Sequence, residues 1–339
     1  MKAITFDAPG GPQVLHLADA PDPIAAPGEV LVRVHATAVN RADLMQRAGH
    51  YPPPPGASAI IGLECAGEVV HVPAGTHTDL AIGDRVMCLL SGGGYAELAA
   101  VPVGQAMRVP DTVDWCQAAA IPEVFLTAWV ALVTLGQGSP GDVALVHSIA
   151  SGVGTAAAQL CAALGMRCIG TSRSVDRAQA GAPWGAEGIA VGDDGFATAV
   201  REMTDGHGAD IVVDLVGARY LAENIACLAR LGRIVLTGLV GGRRGEADLG
   251  ALLALQGRLI GTTLRGRTLE EKAEIVAAFS QWALPRFADG RLMPVIHQVL
   301  PLTDAAEAHR IVGADHAVGK VVLTMFPHTG TDTASGPAC

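Results

Sequence analysis

Hydrophobic and polar positions alternate strictly from Glu29 to Val39, with Val30, Val32, Val34, Ala36 and Ala38 on one side and Leu31, Arg33, His35 and Thr37 on the other. Period two over that length predicts a half-buried strand, and Pro27-Gly28 ahead of it is a turn signal. A short helix is predicted over Asn40–Ala48, stopped by Gly49 and by the prolines 52–55, whose rings cannot continue a helix. Shorter strands at Gly67–Val72 and Arg85–Leu89, with the glycine turn 92–94 after them, make the first third β-rich. The pattern changes near Cys116. A helix is predicted over Gln117–Leu135, and then short apolar runs at Val143–His147, Arg167–Thr171, Ile189–Val191, Ile211–Asp214, Ile234–Thr237 and Leu259–Leu264 are spaced by helical segments, Thr155–Leu164 the clearest. Such alternation predicts parallel strands joined by crossover helices, an α/β architecture. After Gly266 the chain reads as helix Leu269–Ala283, strand Val295–Val299, helix Thr303–Val312 and strand Lys320–Met325, before a Gly/Thr/Ser/Pro-rich stretch, 327–339, expected to be a disordered tail.

Composition narrows the class. At roughly 150 residues per domain, 339 residues suggest two domains. A net charge of −10 and 4% aromatic residues, with no basic tract, argue against nucleic acid as a partner. Seven cysteines without CxxC spacing read as reduced thiols in a cytoplasmic protein. Met1–Gly10 lacks the apolar run of a secretory signal. Val143–Met166 carries no charge and could span a bilayer by length, but His147, Ser148, Ser151 and Gln159 within it favour a buried strand, turn and helix, so no membrane partner is expected.

The strongest chemical signal lies in that segment. Gly152-x-Gly154-x-x-Ala157 follows an apolar strand and opens a helix, the context in which G-x-G-x-x-G/A binds a dinucleotide. Glycine there permits a tight turn and close approach of the backbone to a pyrophosphate, and the helix start presents N–H groups and a positive dipole end. Ser151, Gly152, Val153 and Gly154 are the expected pyrophosphate loop. NAD-type sites carry an acid near the tip of the second strand; here that tip reads Thr171-Ser172-Arg173-Ser174. Arg173, Ser174 and Arg177 can meet a 2′-phosphate, which points to NADPH, with solvated surface charge as the lesser alternative for both arginines. Asp214, closing the fourth strand of this half, is either a site residue or a helix N-cap.

Taken with Ala38–Asp43, Gly62–Gly67, Gly83–Val86, Gln117–Pro122, Leu126–Ala128 and Gly319–Val322, these segments resemble the zinc-independent quinone oxidoreductase branch of the medium-chain dehydrogenase/reductase superfamily over about residues 1–325. Asn40–Arg47 and Tyr51–Ser58 are most similar to its tumour-suppressor-inducible subgroup. The resemblance implies a GroES-like catalytic domain built from 1–119 and 266–326, a Rossmann doubly wound parallel sheet over 120–265, and a homodimer paired near Leu259–Leu264. It implies that Asn40, Asp43 and Tyr51 line the nicotinamide and substrate pocket. By the same likeness Thr127, Leu239, Leu264, Arg265 and Lys320 lie near the cofactor. Two departures stand out. The usual A-x-x-G-x-x-G reads Ser148-x-x-Ser151-x-x-Gly154, and Gly192 stands where relatives often carry a tyrosine near the 2′-phosphate.

Zinc-dependent members of the superfamily use a Cys, a Gly-His-Glu and a distal Cys. Here the first position falls in Asn40–Asp43 and the second reads Gly62-Leu63-Glu64, so no metal is expected. Without a Lewis acid, hydride transfer suits an acceptor that spreads charge over its own π-system, a quinone or an enone. Tyr51 and Asn40 are expected to donate to the substrate oxygen, and Asp43 either orders them, relays a proton, or only caps the helix or pairs with Arg41 or Arg47. The readings carried forward are NADPH-dependent quinone reduction, enone or enoyl reduction, and a non-catalytic NADPH-binding, crystallin-like protein. Whether electrons move as a hydride or singly stays open.

Overall fold

The computed structural model describes residues 1–193 and 195–325, so the expectation of a disordered tail over 327–339 lies outside the described residues. The chain divides into two compact units. One joins Met1–Leu126 to the segment from Leu264 onward, and the other is Thr127–Thr263.

In the first unit the alternating strand forms as Glu29–Ala38. Val30, Val32, Val34 and Ala36 are fully buried, because period-two patterning puts every second side chain on the core face. The strand pairs antiparallel with Glu64–His71, Leu98–Pro102 and Lys320–Thr324. Arg85–Leu89 and Ala106–Arg108 extend the sheet on one side, and Ile296–Pro301, parallel to Lys320–Thr324, closes the other. The core is aliphatic around Val30, Val69, Val86 and Val101, with a second cluster around Ile61, Tyr95, Leu302 and Leu323. Helix Leu269–Ala288 runs through Pro285 past its expected end. Its last turn is held by Phe287, whose ring packs edge-on to Phe125 at 5.0 Å. The predicted helix over Gln117–Leu135 is in fact Trp115–Ala119, a break, Pro122–Trp129 and a π-helical turn Val130–Thr134. Pro122 starts the second piece because its ring and missing N–H suit a first turn and not an interior.

The second unit is a six-stranded, all-parallel sheet. Its order is Glu187–Ala190, Arg167–Ser172, Val143–Val146, Ala209–Asp214, Leu228–Leu236 and Arg258–Gly261. Numbered along the chain within this unit, that is order 3-2-1-4-5-6, the doubly wound arrangement with its switch point beside the first strand. Val143–Met166 is the strand, turn and helix expected of it, and no helix among the described residues is long and apolar enough to cross a membrane.

Cys65, Cys88, Cys161, Cys168 and Cys227 are buried free thiols.

Candidate active site and dinucleotide loop

Each unit holds one half of the expected chemistry. In the first, strand Glu29–Ala38 ends at Asn40, which starts the helix Arg41–Arg47. Asn40 N–H donates to Asp43 Oδ2 at 2.8 Å, and Gly62 N–H donates to Asp43 Oδ1 at 3.1 Å. Asp43 is therefore the third residue of its helix, reaching back in a capping box with Asn40, and the anchor of the Gly62 loop. Burial pushes its carboxyl up to about 7, against the Asn40 N–H and the Lys320 charge. Arg41 pairs instead with Asp315, and Arg47 donates to Gly10 O and His309 Nδ1, so neither arginine is the ion partner of Asp43. Gly62 is obligatory: its φ is +107°, and a Cβ would sit 2.6 Å from the Tyr95 backbone nitrogen.

Beside Asp43 lies a buried ionic knot. Lys320 Nζ donates to Glu64 Oε1 at 2.7 Å, Asn40 Oδ1 at 2.6 Å and Val39 O at 3.0 Å, using all three ammonium hydrogens. Asn40 Nδ2 donates to the same Glu64 oxygen at 2.7 Å, and Glu123 N–H donates to Glu64 Oε2 at 2.9 Å. Glu64 is fully buried and Lys320 nearly so. Half-buried Glu123 opens the helix Pro122–Trp129, on which Thr127 also sits. Burial and then the Glu64 charge push its carboxyl up to about 8.

Arg265 is 4% exposed, and its guanidinium works inside its own unit. It donates to Ser91 O at 2.9 Å, Gln46 Oε1 at 2.7 Å and Tyr51 O at 3.3 Å, and lies over the Tyr51 ring at 5.1 Å. Lys272 Nζ reaches Ser91 Oγ at 2.7 Å. Arg265 thus fastens the segment that carries Tyr51 to the helix 41–47 and to the glycine turn. Leu264 is buried beside it in sequence. The Tyr51 phenol is held above its ordinary value, first by burial and then by Glu123, so it keeps its proton and can donate.

In the second unit the loop 147–151 precedes the helix Gly152–Leu164. The glycine roles differ from those expected. The tight turn falls on Ser148, at φ +53°, and not on Gly152. Gly154 is the close-packing glycine, since a Cβ there would lie 2.4 Å from Ser148 O and 2.6 Å from Ile149 Cα. Ser151 caps the helix, its Oγ accepting from Gly154 N at 3.0 Å, so a serine in the usual glycine position acts as an N-cap. Gly152 and Val153 form the first turn after it. At the second strand tip Arg173 and Ser174 are exposed and Arg177 is half-buried, all on the loop and short helix after Ser172. A side chain added at Gly192 would meet nothing within 4 Å, so the tyrosine of relatives is missing from open space. Asp214 Oδ1 accepts from Val216 N at 2.7 Å and Gly217 N at 2.9 Å, closing the turn after its strand, and it is not the helix N-cap expected, since the next helical turn starts after Gly217 without a side-chain cap. Leu239 is 44% exposed in the loop after the fifth strand of this sheet.

Reasoning from sequence missed Glu64 as the acid of the knot, together with Glu123, Lys272 and His147. Only Glu64 carried a signal, as the residue after Leu63 where zinc enzymes have His.

Known proteins resemble this chain in sequence and fold. Residues 26–111 match the alcohol dehydrogenase GroES-like domain, and 152–281 match the zinc-binding dehydrogenase family. A quinone oxidoreductase from Pseudomonas aeruginosa is 33% identical over 324 residues, 95% of this chain and 99% of that protein. The polyketide synthase GfsB of Streptomyces halstedii is 33% identical over 90% of the chain, which spans only 5% of that synthase. The Escherichia coli quinone oxidoreductase solved with NADPH superposes with a TM-score of 0.82 at 28% identity, over 96% of this chain and all of that one. The chain belongs to the quinone oxidoreductase family, in the zinc-independent branch of the medium-chain dehydrogenase/reductases.

Its residues do not fit zinc despite the name of the second family. The buried carboxylate that could ligate, Glu64, already takes the Lys320 ammonium, the Asn40 amide and the Glu123 N–H. Among the described residues no group of three or more His, Cys, Asp or Glu could hold a metal. The loop 148–154 does fit a dinucleotide, because it leads into a 13-residue helix, capped by Ser151, at the carboxyl end of the strand Val143–Val146.

Proposed function

We propose that this protein reduces quinones with NADPH, without zinc. The observation that carries the reading is the Lys320–Glu64–Asn40 knot, which puts a fixed ammonium where a zinc enzyme needs ligands. The acceptor must then stabilise its own developing charge, as a quinone does. NADPH, when bound, supplies the hydride. Tyr51 donates a hydrogen bond to the acceptor oxygen, while Asn40 holds Lys320 and Asp43 holds the loop that carries the knot. Arg173, Ser174 and Arg177 grip the 2′-phosphate, and Ser151–Gly154 the pyrophosphate. Thr127, Leu239 and Leu264 flank the nicotinamide. Arg265 serves there by anchoring Tyr51. The protein acts in the cytoplasm as a homodimer. Its edge strand Arg258–Gly261 and the exposed Leu249, Leu253 and Leu259 form the patch to be covered.

The test is NADPH oxidation against a panel of quinones and α,β-unsaturated ketones, with wild type, Tyr51→Phe and Asn40→Ala. Quinone turnover by wild type, lowered at least about tenfold by Tyr51→Phe, supports the reading. Turnover of enones alone would move the chain to the enone reductases, and tight NADPH binding without turnover on any acceptor would make it a binding protein. Quinone rates unchanged in both variants would sink the assigned roles.

A further inference from the structure

A second buried polar network lies in the dinucleotide unit, and nothing in the proposed chemistry uses it. His147 is fully buried at the end of the strand Val143–Val146. Its Nδ1 lies 2.8 Å from Thr171 Oγ1, and its Nε2 lies 2.6 Å from Asn224 Oδ1. Asn224 Nδ2 in turn donates to Asp214 Oδ2 at 3.1 Å. Thr171, Asn224 and Asp214 are all buried as well.

The direction of every bond in this chain is determined. Asp214 accepts from Val216 N and Gly217 N on Oδ1 and from Asn224 Nδ2 on Oδ2, so both of its oxygens act as acceptors. The Asn224 amide must therefore turn its NH2 to Asp214 and its oxygen to the ring. An oxygen acceptor requires His147 to carry its proton on Nε2. Nδ1 is then the acceptor, and the Thr171 hydroxyl donates to it. Burial pushes the imidazole below its ordinary value, in keeping with one proton on the ring. Phe196 and Tyr220 stand edge-on to it at 4.9 Å each, so the ring cannot rotate out of the chain.

Three loops meet on this ring. His147 is bonded directly to Ser148, the left-handed residue that begins the pyrophosphate loop. Its own N–H bonds Val213 O, and the Ile149 N–H bonds Thr171 O. Thr171 stands two residues before Arg173 and three before Ser174. Asp214 controls the turn after the fourth strand through Val216 and Gly217. Each of these loops leaves the carboxyl end of a parallel strand, where such sheets bind ligands.

We propose that His147 is a positioning residue for the coenzyme: as the neutral Nε2–H tautomer it locks the Thr171 strand tip and the Asp214 turn to the 148–151 loop, and so sets NADPH affinity without touching NADPH. The inference rests on the NADPH reading above. A side chain that only fills the core would change stability. A positioning residue changes the coenzyme KM and leaves the rate at saturation, because the reacting groups lie elsewhere. Losing the ring leaves Asn224 Oδ1 and Thr171 Oγ1 buried without their partner, a loss of the order that moves an equilibrium about tenfold.

The experiment compares wild type, His147→Ala, His147→Gln and Thr171→Val in NADPH binding and in quinone turnover. Glutamine can place an amide N–H near the Nε2 position, so it is the conservative rescue. Expected are a rise of about tenfold in NADPH KM and Kd for His147→Ala, kcat within about twofold, partial recovery in His147→Gln, and an intermediate KM for Thr171→Val. Should His147→Ala not fold, the intact hydroxyl-free isostere Thr171→Val decides the matter. In wild type, the ring 15N shifts of His147 should report a protonated Nε2 and a bare Nδ1. The idea fails if both Thr171→Val and a folded His147→Ala bind NADPH as wild type does, if kcat falls while KM stays, or if Nδ1 carries the proton. A wild-type chain that binds no NADPH overturns the coenzyme reading itself, and this inference with it. Wild-type binding followed by unaltered variants overturns this inference alone.

Discussion

Replacing Lys320 by methionine removes a cation and keeps most of the side chain's length. Glu64, with no exposure to solvent, would keep the Asn40 amide at 2.7 Å and the Glu123 N–H at 2.9 Å but lose the ammonium at 2.7 Å. Removing one partner of a buried pair costs about 3–5 kcal/mol, because a charge is left uncompensated. Two surviving donors put Lys320→Met at the lower end, about 3 kcal/mol, or roughly a hundredfold in the local opening equilibrium. Glu64→Gln should cost a similar amount, since it strands the ammonium with only Val39 O and Asn40 Oδ1. The double variant Lys320→Met/Glu64→Gln leaves no buried charge in the knot and should recover at least half of the summed loss. Amide hydrogen exchange in the strand Lys320–Thr324 reads this unit by itself, which matters in a chain of two units that need not unfold together. Exchange there should quicken about a hundredfold in each single variant and much less in the double. Exchange within threefold of wild type in Lys320→Met, or a double variant as fast as the two singles combined, would refute the idea that the ammonium balances Glu64.

Burial, aided by Arg47, pushes His309 down to about 3, below its usual 6.5. The unfolded chain therefore binds a proton that the folded one refuses, and stability is lost as pH falls from about 6.5 toward 3, at up to about 1.4 kcal/mol per unit. In His309→Gln, which can still bridge Arg47 and Tyr95, denaturation between those pH values should show a shallower slope; an equal slope would count against this source. Gly154→Ala should lose most NADPH affinity and lower the melting temperature, because its methyl would lie 2.4 Å from Ser148 O; calorimetry and coenzyme titration together check it, and an unaltered titration would contradict the close-packing role.

What could be read from sequence was whatever repeats locally. The run Glu29–Ala38 is legible because one face is buried along its length. The sheet of the second unit is legible because apolar runs, turns and helices recur in order. The strands Lys2–Thr5, His16–Asp19, Leu98–Pro102 and Ala106–Arg108 were not: they lie outside the recurring strand–helix order, and pieces of three to five residues alone carry too few positions to show a period. The dinucleotide loop was legible as a loop, but its division of labour was not. Glycine was assumed to take the left-handed turn, and Ser148 takes it. The knot was least legible. Glu64 and Lys320 are 256 residues apart, and an acid and a base at that separation look like any two surface charges until the strands that carry them share a sheet. The reading of Asp43 as reactive group or cap could not be decided from spacing either, because the decisive donor, Gly62 N–H, comes from another loop.

The last strand among the described residues, Lys320–Thr324, lies against Glu29–Ala38 in the first unit. During synthesis the second unit, contiguous from Thr127 to Thr263, emerges whole and can fold while the ribosome is still reading. The first cannot. Glu64 is made early and waits for a countercharge that is translated some 256 residues later. Until Lys320 arrives, the sheet has an open edge and an acid with no reason to leave water. Synthesis that stops before Lys320 therefore leaves the second unit whole and the first without this strand.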